Sequence, residues 1–389
     1  MKAESSEPAP LRTGDAGDRI VSVEARTVRI PLEFDTSWST RTVKARDYGV
    51  VRVRTHDGAQ GIGFCYAGSS AGELVARAVR ELYAPLLMGE DAWRVEGLWE
   101  AMYRESLLQG RAGSAMRALS ILDIALWDRN ARSVGLPLSK LLGCHAQGSV
   151  DAYASGGYYL EGKGTEGLAQ ELLSYTGKGF RAVKMKVGRL DPKGEEERIK
   201  AAREAVGPDV LLMLDANNAW KDLPTAMRYM ERYERYSPHW IEEPFSPDDI
   251  DNHAKLARRT SITVATGEIE AGRWRFKELL DKQGAEIIQA DAAVCGGITE
   301  WRRIAATASS YGVTVCPHWF HDLHVHLVAA TPNARFVEVF VDDRVLNFRR
   351  LVDRQLEFSD GRLVIPRDPG LGFNFDEASL ERYALDAWA

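Results

Sequence analysis

The segment GFRAVKMKVG, residues 179–188, decides the fold. Read as a strand, it puts Ala182, Lys184 and Lys186 on one face and Val183, Met185 and Val187 on the other. A solvated edge strand guarded by lysines accounts for that pattern locally. The alternative is a buried strand whose lysines face a cavity, a costly arrangement unless chemistry happens there. The flanking sequence separates the two.

From Ser149 onward, strand and helix patterns alternate. Eight strand candidates follow one another: VDAYASG, FRAVKMKVG, VLLMLDANN, WIEEP, ITVATGE, EIIQAD, VTVCPH and FVEVF. Helical stretches such as GEEERIKAAREAVG and LPTAMRYMERYERY lie between most of them. Eight such units over roughly 200 residues predict an α/β fold of the (β/α)8, TIM-like type. A doubly wound open sheet is the competing arrangement. It would carry a glycine-rich fingerprint after its first strand, and ASGGYYLEGKG is not one. Polar residues then fall at the C-terminal ends of seven consecutive strands. They are Lys184 with Lys186, Asp215 with Asn217, Glu242, Glu268, Asp291, His318 and Glu338. Barrel enzymes build their sites on that rim.

The region before the barrel reads differently. IVSVEARTVRI and YGVVRVRTHDG alternate as strands, with EFDTSWSTRTVKAR (residues 33–46) expected as a loop between them. LWEAMYRESL and GSAMRALSILDIALWDRNARSVG follow at helical spacing. The expected organisation is therefore a flexible tail over 1–18, an α+β capping domain over 19–145, the barrel over 146–360, and a C-terminal segment over 361–389. Lys and Arg total 50 against 56 Asp and Glu, a net charge of −6, with no basic block that would suggest nucleic acid. No apolar run is long enough to span a membrane. The opening MKAESSEPAPLRTGDAGD has no apolar core and does not read as a signal peptide. Four scattered cysteines with no CxxC pair fit a reducing, cytoplasmic setting.

The rim residues suggest a reaction. Asp215, Glu242 and Glu268 end three successive strands, and three converging carboxylates suit a hard cation, Mg²⁺ with Mn²⁺ as a substitute. Glu243 is expected to point away from them. Two neighbouring lysines depress each other's pKa and a nearby divalent ion depresses them further, so Lys186 is expected as a neutral base, with Lys184 on the substrate carboxylate. Asp291 would orient His318 as a second acid/base on the opposite side. Glu338, if protonated, would donate to a substrate oxygen. A metal between two bases fits removal of a proton α to a carboxylate through an enediolate.

The ordered motifs KMK, LDANN, IEEP, ATGE, DAAVCGGITE and CPH, with SILDIALWD, GLPLSKLLG and DPGLGFNFDE, resemble the enolase superfamily in its mandelate racemase subgroup. The resemblance covers nearly the whole chain. It implies Asp215, Glu242 and Glu268 as metal ligands, Lys186 and the Asp291–His318 dyad as bases, and Glu338 as the electrophilic glutamate. It implies a cap, completed by the C-terminal segment, whose loops near 33–46 and Tyr66 select the substrate, and a homo-oligomer. Subgroup members with these bases are mostly acid-sugar dehydratases, so dehydration to a 2-keto-3-deoxy acid is the expected reaction. Racemisation or epimerisation of a 2-hydroxy acid is the alternative. Asn217, Trp38, Arg41 and His321 are the expected substrate contacts, with Lys44 and Arg46 as further cations of the cap loop. His318, His321, His324 and His326 invite a hydrolase with a zinc cluster, but VDAYASG lacks the HxH such barrels carry on their first strand. A barrel serving only binding is disfavoured, because no ligand or base is missing.

Overall fold

The computed structural model describes residues 16–389. Most of the expected tail lies outside them. Ala16–Asp18 form a 3-10 turn, and Asp18 accepts a hydrogen bond from the buried Arg129 at 2.8 Å.

The cap begins with a three-stranded antiparallel sheet of β1 (Ile20–Ser37), β2 (Thr42–Thr55) and β3 (Gln60–Gly68). The loop expected over 33–46 is mostly strand. β1 and β2 pair from Ile20↔Thr55 to Ser37↔Thr42, with register breaks between Ile20 and Ser22 and between Pro31 and Thr36. Polar residues at a hairpin end resemble a loop in sequence, yet both of its edges find backbone partners. Only 38–41 turn. The helix Gly113–Ser133 lies directly on β3, because a Cβ at Gly61 or Gly63 would stand 1.9 Å from Ala125 O or Ile121 O. That helix carries both aspartates of SILDIALWD. Asp123 accepts from Thr299 N and Oγ1 in the barrel's DAAVCGGITE region, while Asp128 accepts from Ile62 N and Leu371 N.

All eight barrel strands predicted from sequence are present: β4 (Ser149–Gly156), β5 (Ala182–Lys186), β6 (Leu211–Asp215), β7 (Trp240–Glu242), β8 (Thr263–Thr266), β9 (Ile287–Ile288), β10 (Thr314–Val315) and β11 (Val337–Phe340). Neighbours from β4 to β10 pair in parallel, and β11 pairs with β4. Arg335 N donates to Val315 O, which closes the ring between β10 and the lead into β11. Helices follow β4 through β10, whereas only the 3-10 turn Phe348–Leu351 follows β11. β5 lies between β4 and β6 and is buried along its length, so it is no edge strand. Val183, Met185 and Val187 pack outward against the helices.

Inside, each strand contributes one residue to a floor: Tyr153, Ala182, Met213, Trp240, Ala265, Ile287, Cys316 and Phe336. The polar rim stands above it. After β11, β12 (Phe358–Ser359) and β13 (Arg362–Val364) form a hairpin, and β13 pairs with the lower half of β4. The chain returns to the cap from Gly370 onward, where Gly370 bridges Pro137 and Ala389 O accepts from Ala25 N.

Candidate active site

Period-two alternation carries Lys184 and Lys186 upward from Ala182 into the lumen. Lys184 is 1 % exposed. Its Nζ lies 2.7 and 2.9 Å from the two Glu242 oxygens and 2.7 Å from Glu338 Oε1. Lys186 Nζ lies 2.5 Å from Asp215 Oδ2. Arg198, from the helix Pro192–Val206, braces this strand end by donating to Lys186 O at 3.1 Å.

These contacts act against loss of a proton from Lys186. Burial pulls the Lys186 ammonium down, but Asp215 and Tyr158 outweigh burial and Lys184 together, so its pKa stands above the ordinary lysine value. Lys184 is also raised, by Glu242 and Glu338 acting against burial. The mutual repulsion of the lysines is real but smaller than the pull of the carboxylates between them. Glu338 is likewise not a hydrogen-bond donor here. Burial pushes it up, yet Lys184, His318 and Lys186 hold it well below the usual carboxylate range. Its Oε2 accepts from Trp319 N at 2.8 Å.

Asp215, Glu242 and Glu268 each offer an oxygen, and these atoms lie within 4.8 Å of one another. Trp240 Nε1 holds Glu242 at 3.1 Å and Asn217 N holds Asp215 at 2.9 Å. Glu268 Oε2 is buried without a hydrogen-bond partner. Burial and then the charges of Glu243, Glu242 and Asp215 push Glu268 well above the usual range. An all-oxygen, mutually repelling set with one unpartnered buried oxygen fits a hard divalent cation. Glu243 belongs to the same electrostatic unit, against expectation. Its backbone adopts φ +43°, and its Oε2 accepts from Asn218 Nδ2 at 3.2 Å. Burial, Asp215 and Glu242 raise it to about 8.

Across the lumen, His318 Nδ1 lies 3.1 Å from Asp291 Oδ2, and Nε2 lies 3.5 Å from Glu268 Oε2. The next two residues, Trp319 and Phe320, have φ of +55° and +24°. Such strain tends to persist where surrounding contacts enforce it. Trp319 O accepts from His324 Nδ1 at 2.9 Å, since His324 Nε2 itself accepts from Ala292 N. His326 accepts from Ser139 N and donates to Leu371 O, and burial lowers it to about 4. His321 packs on Phe358 and borders a small cavity with Trp319 and Arg349. These histidines serve separate partners. Among the described residues the acidic triad is the one group arranged to hold a metal.

The hairpin tip lies on the rim. Ser39 Oγ and Thr40 Oγ1 donate to Asn217 O at 3.1 and 3.2 Å. Trp38 packs edge-on against Tyr158, and Tyr158 lies under Lys186, its ring centroid 5.1 Å from Nζ. Asn217 Oδ1 is buried without a partner. Arg41 is exposed, and Lys44 is an exposed partner of Asp35. Sequence reasoning missed Ser39, Thr40, Tyr158 and Gln289. Gln289 sits two residues above the floor residue Ile287, and neither amide atom has a partner. Alternation from Ile287 would have found it. A larger open cavity of about 590 Å³ lies beside Tyr159, Arg189 and Arg198, and none of the triad or bases lines it.

An α+β cap over a barrel with a carboxylate triad between Lys186 and His318 defines a class, and sequence comparison agrees with it. Residues 20–143 match the mandelate racemase / muconate lactonizing enzyme N-terminal domain, and residues 167–379 match the enolase C-terminal domain-like family. The chain belongs to the mandelate racemase subgroup of the enolase superfamily. It is 34 % identical to L-talarate/galactarate dehydratase of Salmonella typhimurium, over 93 % of this chain and 90 % of that protein. It is also 34 % identical to arabinonate dehydratase of Saccharolobus solfataricus, over 85 % and 89 %. The crystal structure of the Salmonella enzyme with Mg and L-lyxarohydroxamate superposes with a TM-score of 0.89 at 31 % identity, covering 100 % of this chain and 98 % of that one.

Proposed function

We propose that the protein is a Mg²⁺-dependent acid-sugar dehydratase. The observation that carries this reading is the placement of Lys186 and His318 on either side of the Asp215–Glu242–Glu268 triad. The dehydratases among its relatives support the choice of elimination.

Asp215, Glu242 and Glu268 would hold the ion, and Lys184, itself positioned by Glu338, would hold the substrate carboxylate end in register. Mg²⁺ held by these three carboxylates would supply positive charge where the substrate carboxylate gains negative charge, and would compete for the Asp215 charge that retains the Lys186 proton. Lys186 then takes the α-proton as general base. Asp291 keeps His318 oriented, and protonated His318 gives its Nε2 proton to the β-hydroxyl, which leaves as water. The resulting enol tautomerises to the 2-keto-3-deoxy acid, so substrate equals product plus one water. Glu243 and Asn217 flank the ligands, while Trp38 and the hairpin tip exclude solvent from the reacting carbons.

The same reading places the enzyme in carbohydrate breakdown in a reducing cytoplasm, which its four free cysteines favour. It acts there as a homo-oligomer on a small carboxylate, without nucleic acid or membrane as partner. Among the described residues no helix is long and apolar enough to cross a membrane.

The test is ¹H NMR in D₂O of the Mg²⁺-loaded protein with pooled mono- and diacid sugars. New methylene signals of a 2-keto-3-deoxy acid are expected. Loss of the α-proton signal with growth of an epimer would make the protein an isomerase instead.

A further inference from the structure

Arg46 lies in β2 and is 2 % exposed. Its Nε donates to Val345 O at 3.0 Å, which fixes the stem. Its Nη2 is buried and has no partner. The neighbouring arginines of the cap sheet behave differently. Arg26, Arg29, Arg52 and Arg54 each face a carboxylate, Glu381, Asp47, Glu377 and Glu24. Among the described residues no carboxylate pairs with Arg46 within 4.0 Å. A guanidinium withdrawn from water without a counter-charge is costly, and aromatic rings offset that only in part.

Those rings place it. Trp319, Tyr66 and Trp38 surround the guanidinium at 5.2, 5.4 and 6.0 Å. Trp319 follows His318 and packs against it, with centroids 5.6 Å apart. Trp38 packs on Tyr158, the ring beside Lys186. Arg46 is thus one ring from one base and two rings from the other, on the cap side of the mouth.

We propose that Arg46 binds a carboxylate at the far end of the substrate, and that the substrate is therefore an aldarate, a sugar acid with a carboxylate at each end. A distal carboxylate supplies the missing counter-charge and accepts parallel bonds from the planar fork, whereas the terminal hydroxyl of an aldonate supplies neither. The inference rests on the elimination reading only for the position of the other carboxylate.

The experiment compares six-carbon aldarates with six-carbon aldonates on the Mg²⁺-loaded protein and on its Arg46→Met and Arg46→Lys variants. Turnover is followed by ketone product, and binding by the ligand-induced rise in Tm. The expected result is an aldarate preference that Arg46→Met reduces by about 100-fold in kcat/KM, with aldonate turnover changed only a few-fold. Arg46→Lys keeps charge but loses the fork, and falls between. If Arg46→Met does not fold, Arg46→Lys is read alone, and an unchanged preference overturns the proposal. A wild-type preference for aldonates, or equal losses on both substrate sets, also overturns it. If neither set yields product, the elimination reading fails by itself. A Tm rise with aldarates in the wild type, absent in Arg46→Met, then still upholds the anion site, and no such rise refutes it.

Discussion

The two walls of the barrel mouth hold their chemistry in opposite ways. On the β5–β7 wall, Lys184 and Lys186 are clamped by Asp215, Glu242 and Glu338 in buried ion pairs. On the β9–β10 wall, His318 is aligned by one hydrogen bond to Asp291, and His324 braces the turn behind it through neutral contacts. A buried ion-pair cluster is rigid but silences its base, because each carboxylate holds the proton the lysine must lose. An oriented imidazole needs no such release. The lysine wall should therefore depend on the metal, and the histidine wall on geometry.

The sharpest way to break that contrast is to remove each base. Lys186→Ala should lower both α-proton exchange and product formation by about 10⁴-fold. His318→Asn should abolish product formation while leaving Lys186-dependent exchange of the α-proton into D₂O measurable. Loss of both activities in His318→Asn would mean that the walls do not divide the work as acid and base.

A smaller effect concerns the charge stored on the lysine wall. Burial and the charges of Asp215 and Glu242 push Glu243 up to about 8 in the folded protein, against about 4.3 in an unfolded chain. Between those values the folded state holds a proton the unfolded chain has lost, so stability falls as pH rises. In EDTA, melting temperature should drop from pH 5 to pH 8, with Glu243 contributing to the fall. Glu243→Gln should flatten that slope. An unchanged slope would show that Glu243 does not share the charge of the triad.

The smallest effects lie on the hairpin tip. Ser39→Ala removes the hydroxyl that reaches Ala216 O and Asn217 O, and should raise KM about fivefold with kcat little changed. Lys44→Ala, which removes an exposed ion pair, should leave both constants unchanged.

Much of the site was legible because barrel strands alternate with period two. Lys184, Lys186, Asp215, Glu242 and Glu338 all follow from counting along a strand, and the eight strands follow from runs of apolar residues with breaks between them. The same counting extended from Ile287 reaches Gln289. It fails at Glu243, which alternation separates from Glu242 but whose pKa is raised by burial, Asp215 and Glu242. It fails at the hairpin, where a polar run mimics a loop although Thr36 and Ser37 pair with Val43 and Thr42, and Ala45 and Arg46 pair with Pro31 and Ile30.

What the sequence by itself determined is the order of the strands, the polar residue each carries at its end, and the family those motifs define. What only the tertiary structure decided is charge state and access. Neighbouring charges raise the pKa of Lys186 and lower that of Glu338, and Arg41 and Arg46, both cations of one hairpin, end exposed and buried respectively. Local sequence places a side chain on a face of its own element. The field it experiences and the solvent it loses come from neighbours on other strands and on the cap, tens to hundreds of residues away along the chain.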